Sequence, residues 1–384
     1  MWKKIVVIAD DLTGAAEMAG LAGGCGLSVD LLTAMPEGPL RTEKEVTVLA
    51  TDTRSADESE AVDVTRRVAQ ALPDDVVLFK KTDSALRGHI IAELLTLLEV
   101  TGMQRALFIP ANPSKGRVIR EGIYYINDVP ISLTKFAADP EFPARSSSLR
   151  MRFPEADDMG IMMPDISSED DVRHWVGKAD DQTLLAGAAD MFSALLQQWA
   201  SPTGPTGPTS PTSLTSLTSL TGPTSPTSPT SLTSPTDMPA FPKEDVLVVC
   251  GSTQSKPEAL PMTTAYMPLA LYNGEVSADE WTAELVSLYA AHHALALAVA
   301  HHHLTGKEVA VRIRETMAEI VGKIVRCHCP QQLIIEGGAT ASACCRALGF
   351  SHFSEICQLA PGVVRMKADN GMLVTLKPGS YPWK

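Results

Sequence analysis

The first third of the chain repeats one pattern, a short apolar run that stops at a polar, charged cluster. Residues 5–9 are apolar and run into Asp10-Asp11-Leu12-Thr13-Gly14. Residues 46–50 end at Thr51-Asp52-Thr53-Arg54-Ser55, and residues 76–79 at Lys80-Lys81-Thr82-Asp83-Ser84-Ala85-Leu86-Arg87-Gly88-His89. Residues 106–109 end at Pro110-Ala111-Asn112-Pro113-Ser114-Lys115-Gly116-Arg117. Runs this short, bounded by turn residues, predict buried strands. After the third cluster Ile91, Leu94, Leu95 and Leu98 recur at helical spacing. Further strands are predicted at 246–250, 333–335 and 373–376, and helices at 180–199, 283–302 and 308–327. The first of these helices carries Leu184, Leu185, Ala188, Phe192, Leu195 and Leu196 on one face. Strands alternating with helices predict an α/β fold of two domains, each a largely parallel sheet flanked by helices. Residues 145–163, rich in Ser, Arg, Pro and Met, fit no regular element and are read as a lid or a dimer surface, so a homodimer is one expectation.

A triplet repeat of Ser or Gly, Pro or Leu, and Thr fills residues 201–239. Glycine does not occupy every third position, which excludes collagen. Proline fixes φ and lacks a donor, while Ser and Thr hydrate well, so an extended, solvated linker is expected. It divides a domain of residues 1–200 from one of residues 240–384 and permits motion between them.

In an open α/β sheet, ligands bind beyond the carboxyl ends of the strands, where the four polar clusters fall. Two adjacent carboxylates at one strand end repel unless a cation or a hydroxyl-rich ligand uses them. Capping of the next helix accounts for Asp11 or Thr13 and leaves the other acid unexplained. In the second half, Gly337-Gly338-Ala339-Thr340 follows a predicted strand and opens a helix of small residues, so its backbone can approach a phosphate closely. Gly251-Ser252-Thr253-Gln254-Ser255-Lys256 is a second loop of this kind, with Ser252 or Ser255 in reach of a nucleotide. Neither G-x-x-x-x-G-K-[ST] nor G-x-G-x-x-G is present, which weighs against a P-loop and against hydride transfer.

The segments Ala9-Asp10-Asp11-Leu12-Thr13-Gly14-Ala15, Lys81-Thr82-Asp83-Ser84-Ala85-Leu86-Arg87-Gly88 and Pro110-Ala111-Asn112-Pro113, with Gly116-Arg117 and Gly122, resemble the four-carbon acid sugar kinase family. Val246 to Ser252, Glu336-Gly337-Gly338 with Thr340, and Lys377-Pro378-Gly379 resemble its C-terminal motifs. Apart from the repeat, the resemblance covers most of the chain. It implies a sugar-acid-binding domain at 1–200 and a nucleotide-binding domain at 240–384. It also implies transfer of a phosphoryl group from ATP, with Mg²⁺, to the terminal hydroxyl of threonate, erythronate or 3-oxo-tetronate, with closure across the linker excluding water.

On that basis Asp11 or Asp83 takes the proton of the attacking hydroxyl, and Asp10 accepts hydrogen bonds from the acceptor's other hydroxyls. Arg54, Arg87 and Lys81 are the cations for its carboxylate, Arg being suited by its planar fork. Ser84 and Asn112 complete the acceptor contacts, and Lys115 meets a phosphate at the rim. Gly337, Gly338, Ala339, Thr340 and Gly379, with Ser252 and Ser255, hold the nucleotide; no metal ligands are assigned. The family has an acid after its two glycines and this chain has Ala339, which brings Glu336 forward as a substitute. The same departure makes a non-catalytic sugar-acid-binding protein the alternative.

Composition narrows the field. At 384 residues, 45% hydrophobic and 20% charged, the chain reads as a globular protein of two domains. A net charge of -13 and 5% aromatic residues argue against a nucleic-acid partner. No secretory segment and no membrane span is read, and seven cysteines in mostly apolar contexts favour a reducing cytoplasm. Cys327-His328-Cys329 lacks the second ligand pair of a structural zinc site.

Overall fold

The computed structural model describes residues 3–139, 141–200, 245–251, 257–300 and 306–378. The 201–239 repeat, Ser252, Ser255 and Gly379 lie outside these residues. The strands in chain order are β1 (Lys4–Ala9), β2 (Val29–Leu32), β3 (Val46–Ala50), β4 (Val76–Lys81), β5 (Arg105–Ile109), β6 (Arg117–Arg120), β7 (Ile123–Ile126), β8 (Val129–Pro130), β9 (Ile161–Met162), β10 (Thr183–Gly187), β11 (Val246–Cys250), β12 (Thr263–Tyr266), β13 (Ala294–Ala298), β14 (Gln332–Glu336), β15 (His352–Ala360), β16 (Val363–Ala368) and β17 (Leu373–Lys377).

The first half builds a parallel sheet in the order β2-β3-β1-β4-β10-β5-β9. The second half builds β12-β13-β11-β14-β17, also parallel, and closes with antiparallel β16 and β15. Residues of β1, β3 and β11 are buried along their whole length or nearly so, as expected for strands covered on both faces. β6, β7 and β8 form a small antiparallel sheet of their own.

The two halves share one sheet. β15 pairs antiparallel with β2, His352 opposite Leu32 and Phe353 opposite Leu31, so fourteen strands run continuously. One apolar core likewise extends through both halves. Helix Leu12–Gly24 starts in the first half and packs on the second. Small residues make that approach possible: a Cβ on Gly20 would lie 2.9 Å from Val364 Cγ2, and one on Gly23 2.8 Å from the Ile356 carbonyl oxygen.

The strands expected at the four polar clusters form, and so does the helix through Ile91 and Leu98, as Ile90–Thr101. Two expected helices are corrected. Residues 180–199 divide into the central strand β10 and helix Ala189–Ala200. Residues 283–302 divide into helix Asp279–His292, ended by His293 at φ 52°, and strand β13. In both cases a wholly apolar strand directly beside a helix carries no periodicity that separates the two. Residues 145–163 hold a one-turn helix, Leu149–Arg152, and the edge strand β9. The cysteines are also less buried than expected: Cys250, Cys344 and Cys345 are inside, whereas Cys25, Cys327, Cys329 and Cys357 are exposed. Among the described residues no helix is long and apolar enough to cross a membrane.

Candidate active site

Strand β1 delivers Asp10 and Asp11 to the carboxyl edge of the sheet. Asp11 caps helix Leu12–Gly24 from an extended conformation, its Oδ1 accepting from the Gly14 N–H at 2.9 Å. Capping therefore accounts for one oxygen of the pair. The charge of both acids is met by Arg54: Nε and Nη2 donate to Asp10 at 2.9 and 2.8 Å, and Nη1 and Nη2 to Asp11 at 2.7 and 2.8 Å. Asp83 lies 3.8 Å from the same guanidinium.

The loop carrying Arg54 is held from beneath. Thr53 Oγ1 donates to Glu93 Oε1 at 2.6 Å, and the fully buried Lys80 pairs with Glu93 at 2.8 Å. Arg54 N–H bonds the Asp10 carbonyl, which fixes the distance between β1 and the loop after β3. Arg87 folds back on Asp83, with Nε to Oδ2 at 2.8 Å and Nη2 to Oδ1 at 3.1 Å. The loop that carries it holds Leu86 at φ 63° and Gly88 at φ 92°, and a Cβ on Gly88 would sit 3.0 Å from Asp10 Oδ2.

A second cluster stands beside the first. Lys81 donates to the Thr82 carbonyl at 2.9 Å and lies 3.7 Å from Glu17, which also pairs with Lys115 at 2.6 Å. Arg117 reaches the hydroxyl of Ser84. Asn112 is buried, and its amide oxygen accepts from the Asp190 N–H at 2.9 Å, which ties β5 to the start of helix Ala189–Ala200.

Burial raises the proton affinity of all these acids, and the neighbours then separate them. Burial pushes the Asp11 carboxyl up, Arg54 draws it down, and the charges of Asp10 and Asp83 push it up again; it stands above the ordinary carboxylate range. For Asp10 the Arg54 guanidinium outweighs burial, and for Asp83 Arg54 and Arg87 together do so, holding both carboxyls below that range. Lys81 and Lys115 likewise outweigh burial at Glu17.

The second half closes this region. Glu336 ends β14 as a buried ion pair with Lys377, at 2.8 Å. Gly337, at φ 98°, then turns the chain into helix Gly338–Leu348. A Cβ on Gly338 would fall on Thr13 Oγ1 and lie 3.5 Å from Asp11 Oδ2, so only glycine lets the two halves meet here. Thr340 is buried beneath Gly251, where a Cβ would fall on its hydroxyl. Arg346, on the same helix, bonds Asp52 of the other half at 2.8 Å.

Between the halves lies a cleft of about 750 Å³. Asp11, Arg54, Lys81, Asp83, Ser84 and Arg87 line it from the first half, and Gly338 and Ala339 from the second. Asp10, Asn112, Glu336, Gly337 and Thr340 are not among its lining residues. Its walls carry seven acidic and seven basic side chains, so it is balanced in a chain of net charge -13.

Two family models match the chain, a sugar-binding N-terminal domain over residues 5–193 and a nucleotide-binding C-terminal domain over residues 271–381. The chain belongs to the four-carbon acid sugar kinase family. It is similar to a D-erythronate kinase of Heliobacterium modesticaldum, 30% identical over 199 residues, which cover 50% of this chain and 41% of that protein. It is 32% identical over 152 residues to a D-threonate kinase of Bordetella bronchiseptica, covering 38% of each. A 3-oxo-tetronate kinase of Brucella melitensis is 30% identical over 163 residues, covering 41% and 37%. The match thus spans less than half of each of these relatives. Two solved structures share the fold. A Haemophilus influenzae protein has a TM-score of 0.66 at 20% identity, covering 98% of this chain and 96% of its own. A Salmonella typhimurium LT2 protein has a TM-score of 0.72 at 16% identity, with the same coverage.

In this member of the family, the cleft adds residues outside the sequence motifs, Glu17, Asp139, Arg314 and Arg346, and gives Thr13 and Arg117 of those motifs a place on its wall. Thr13, Gly14 and Glu17 share one face of helix Leu12–Gly24 by their three- and four-residue spacing, but which face meets the cleft depends on how the helix packs.

Proposed function

We propose that this protein is an ATP-dependent kinase that phosphorylates the terminal hydroxyl of a four-carbon acid sugar such as threonate, erythronate or 3-oxo-tetronate. The observation that carries this reading is the close approach of Thr13 to Gly338, with Asp11 Oδ2 3.5 Å from where a Gly338 Cβ would stand. It brings the acid cluster of one half against a glycine-led helix start of the other, inside one cleft. The acceptor lies against the first half and the nucleotide against the second, so transfer occurs where the two meet.

The roles of the acids follow from their neighbours. Asp83 lines the cleft and is held ionised by arginine, which suits it to accept hydrogen bonds from substrate hydroxyls, whereas Asp10, buried outside the lining, has both oxygens on Arg54 and serves to hold that guanidinium. Asp11 has the highest proton affinity of the three and faces the nucleotide side, so it is the base that receives the proton of the attacking hydroxyl. The fork of Arg54 is already taken up by Asp10 and Asp11. Asp83 likewise takes Nε and Nη2 of Arg87, so the acceptor's carboxylate is assigned to Lys81, Ser84 and the neighbouring Lys115 and Arg117. These four side chains, with Glu17 as their one carboxylate, leave a net positive wall.

The donor side fits a nucleotide through backbone rather than side chains. Gly338 and Ala339 line the cleft at the start of helix Gly338–Leu348 and add no bulk there. Among the described residues no group of three or more His, Cys, Asp or Glu side chains is arranged for a metal. Mg²⁺ accompanying ATP would be held mainly by the phosphates and would neutralise their charge, with the cleft carboxylates Asp11 and Asp83 available to it.

The test is ADP release with ATP and Mg²⁺ across threonate, erythronate and 3-oxo-tetronate isomers. One responsive isomer is the expected result. Silence across the panel, with a thermal shift produced by a sugar acid, would establish instead a binding protein whose Ala339 marks a lost nucleotide chemistry.

A further inference from the structure

We propose that Thr13 is a catalytic residue whose hydroxyl donates a hydrogen bond to a non-bridging oxygen of the phosphoryl group in transit. The proposal rests on the kinase reading above. Thr13 occupies the first turn of helix Leu12–Gly24 and lines the cleft. Its Oγ1 occupies the place a Cβ of Gly338 would take, and Asp11 Oδ2 lies 3.5 Å from that same place. The hydroxyl therefore stands against the donor loop at the place where the base also approaches it. Capping does not use it, because Asp11 caps the helix through the Gly14 N–H. Among the described residues no group hydrogen-bonds the Thr13 hydroxyl, so its proton is available to a ligand.

The step balances without consuming Thr13. The acceptor O–H gives its proton to Asp11, and the acceptor oxygen forms the new bond to phosphorus. The bond from phosphorus to the β,γ-bridging oxygen breaks, and its electron pair leaves with ADP. Negative charge on the non-bridging oxygens is met by the Thr13 O–H, which keeps its proton throughout. A donor preorganised at such an oxygen acts in the transition state more than in the ground state.

The experiment compares wild type, Thr13→Val, Thr13→Ala and Thr13→Ser in ADP release, with the acceptor at varied concentration and the thermal midpoint recorded. Thr13→Val, nearly isosteric, is expected to lose on the order of 100-fold in kcat, the scale of one such donor. Its acceptor KM should stay within about two-fold of wild type. Thr13→Ser should keep most of the rate, and Thr13→Ala serves if the valine variant does not fold. A packing role would instead move the midpoint and KM, and serine would not rescue it. The proposal is overturned if wild type turns over and Thr13→Val equals it, or if Thr13→Ser falls as far as Thr13→Val. A wild type that releases no ADP with any acceptor overturns the kinase reading itself, and this role with it.

Discussion

At the scale of single residues, the site is an exercise in giving neighbouring carboxylates different proton affinities. Asp11 must be ionised to accept a proton, and its carboxyl is raised by burial and by Asp10 and Asp83. The acid limb of kcat/KM should therefore sit above the ordinary carboxylate range, which a pH–rate profile of the wild type checks, and Asp11→Asn should abolish turnover in an ADP-release assay. Asp83 behaves in the opposite sense. Its carboxyl titrates lower in the folded chain than in the unfolded one, so its stabilisation is complete above the unfolded value and fades as pH falls towards the folded one. Asp83→Asn removes the hydrogen-bonded partner of Arg87 and leaves it Asp139 at 3.7 Å, so it should cost about 1.5–3 kcal/mol near neutral pH. Its deficit in denaturant titrations should narrow below about pH 4. The motif residues were legible because each sits at the end of an apolar run. Their pairing was not: nothing in the order of residues shows that Arg54 turns onto Asp10 and Asp11.

At the scale of elements, helix Leu12–Gly24 joins the two halves. It begins at the acceptor side, meets helix Gly338–Leu348 at Thr13, and lies on β15 and β16 through Gly20 and Gly23. Gly23→Ala places a methyl 2.8 Å from a backbone oxygen that cannot rotate away, and it should cost about 1–3 kcal/mol, read as a lowered denaturant midpoint. Gly338→Ala drives its methyl onto Thr13 at the cleft. Turnover should fall at least 10-fold while the fold persists, which steady-state kinetics beside a thermal melt will show. Glycine in these motifs suggested close approach to a phosphate; the structure adds close approach of one half to the other. Strands β10 and β13 escaped notice because a fully buried strand and a buried helix are both simply apolar over five residues.

At the scale of the whole molecule, the halves share a sheet and a core, so they should melt together. Phe353, fully buried on β15 opposite Leu31, sits at the joint. Phe353→Ala should cost about 3–5 kcal/mol and separate the melting of the two halves in calorimetry. An unshifted, single transition in that variant would show that the β2–β15 joint does not couple them. Thr33, which donates from Oγ1 to the Phe350 carbonyl at 2.7 Å, belongs to the same joint.

The order of residues by itself determined the α/β class, the strands that end in charge and the glycine-led turn at Gly337. These depend on local steric and solvation preferences that act within a few residues of one another. Only the tertiary structure decided that two sheets become one, that the acids are shared between two arginines, and that Thr13 meets Gly338. The first and last depend on register and packing between segments more than three hundred residues apart, and the second on how loops some forty residues apart fold onto one sheet edge, where the geometry is set by packing rather than by any local pattern.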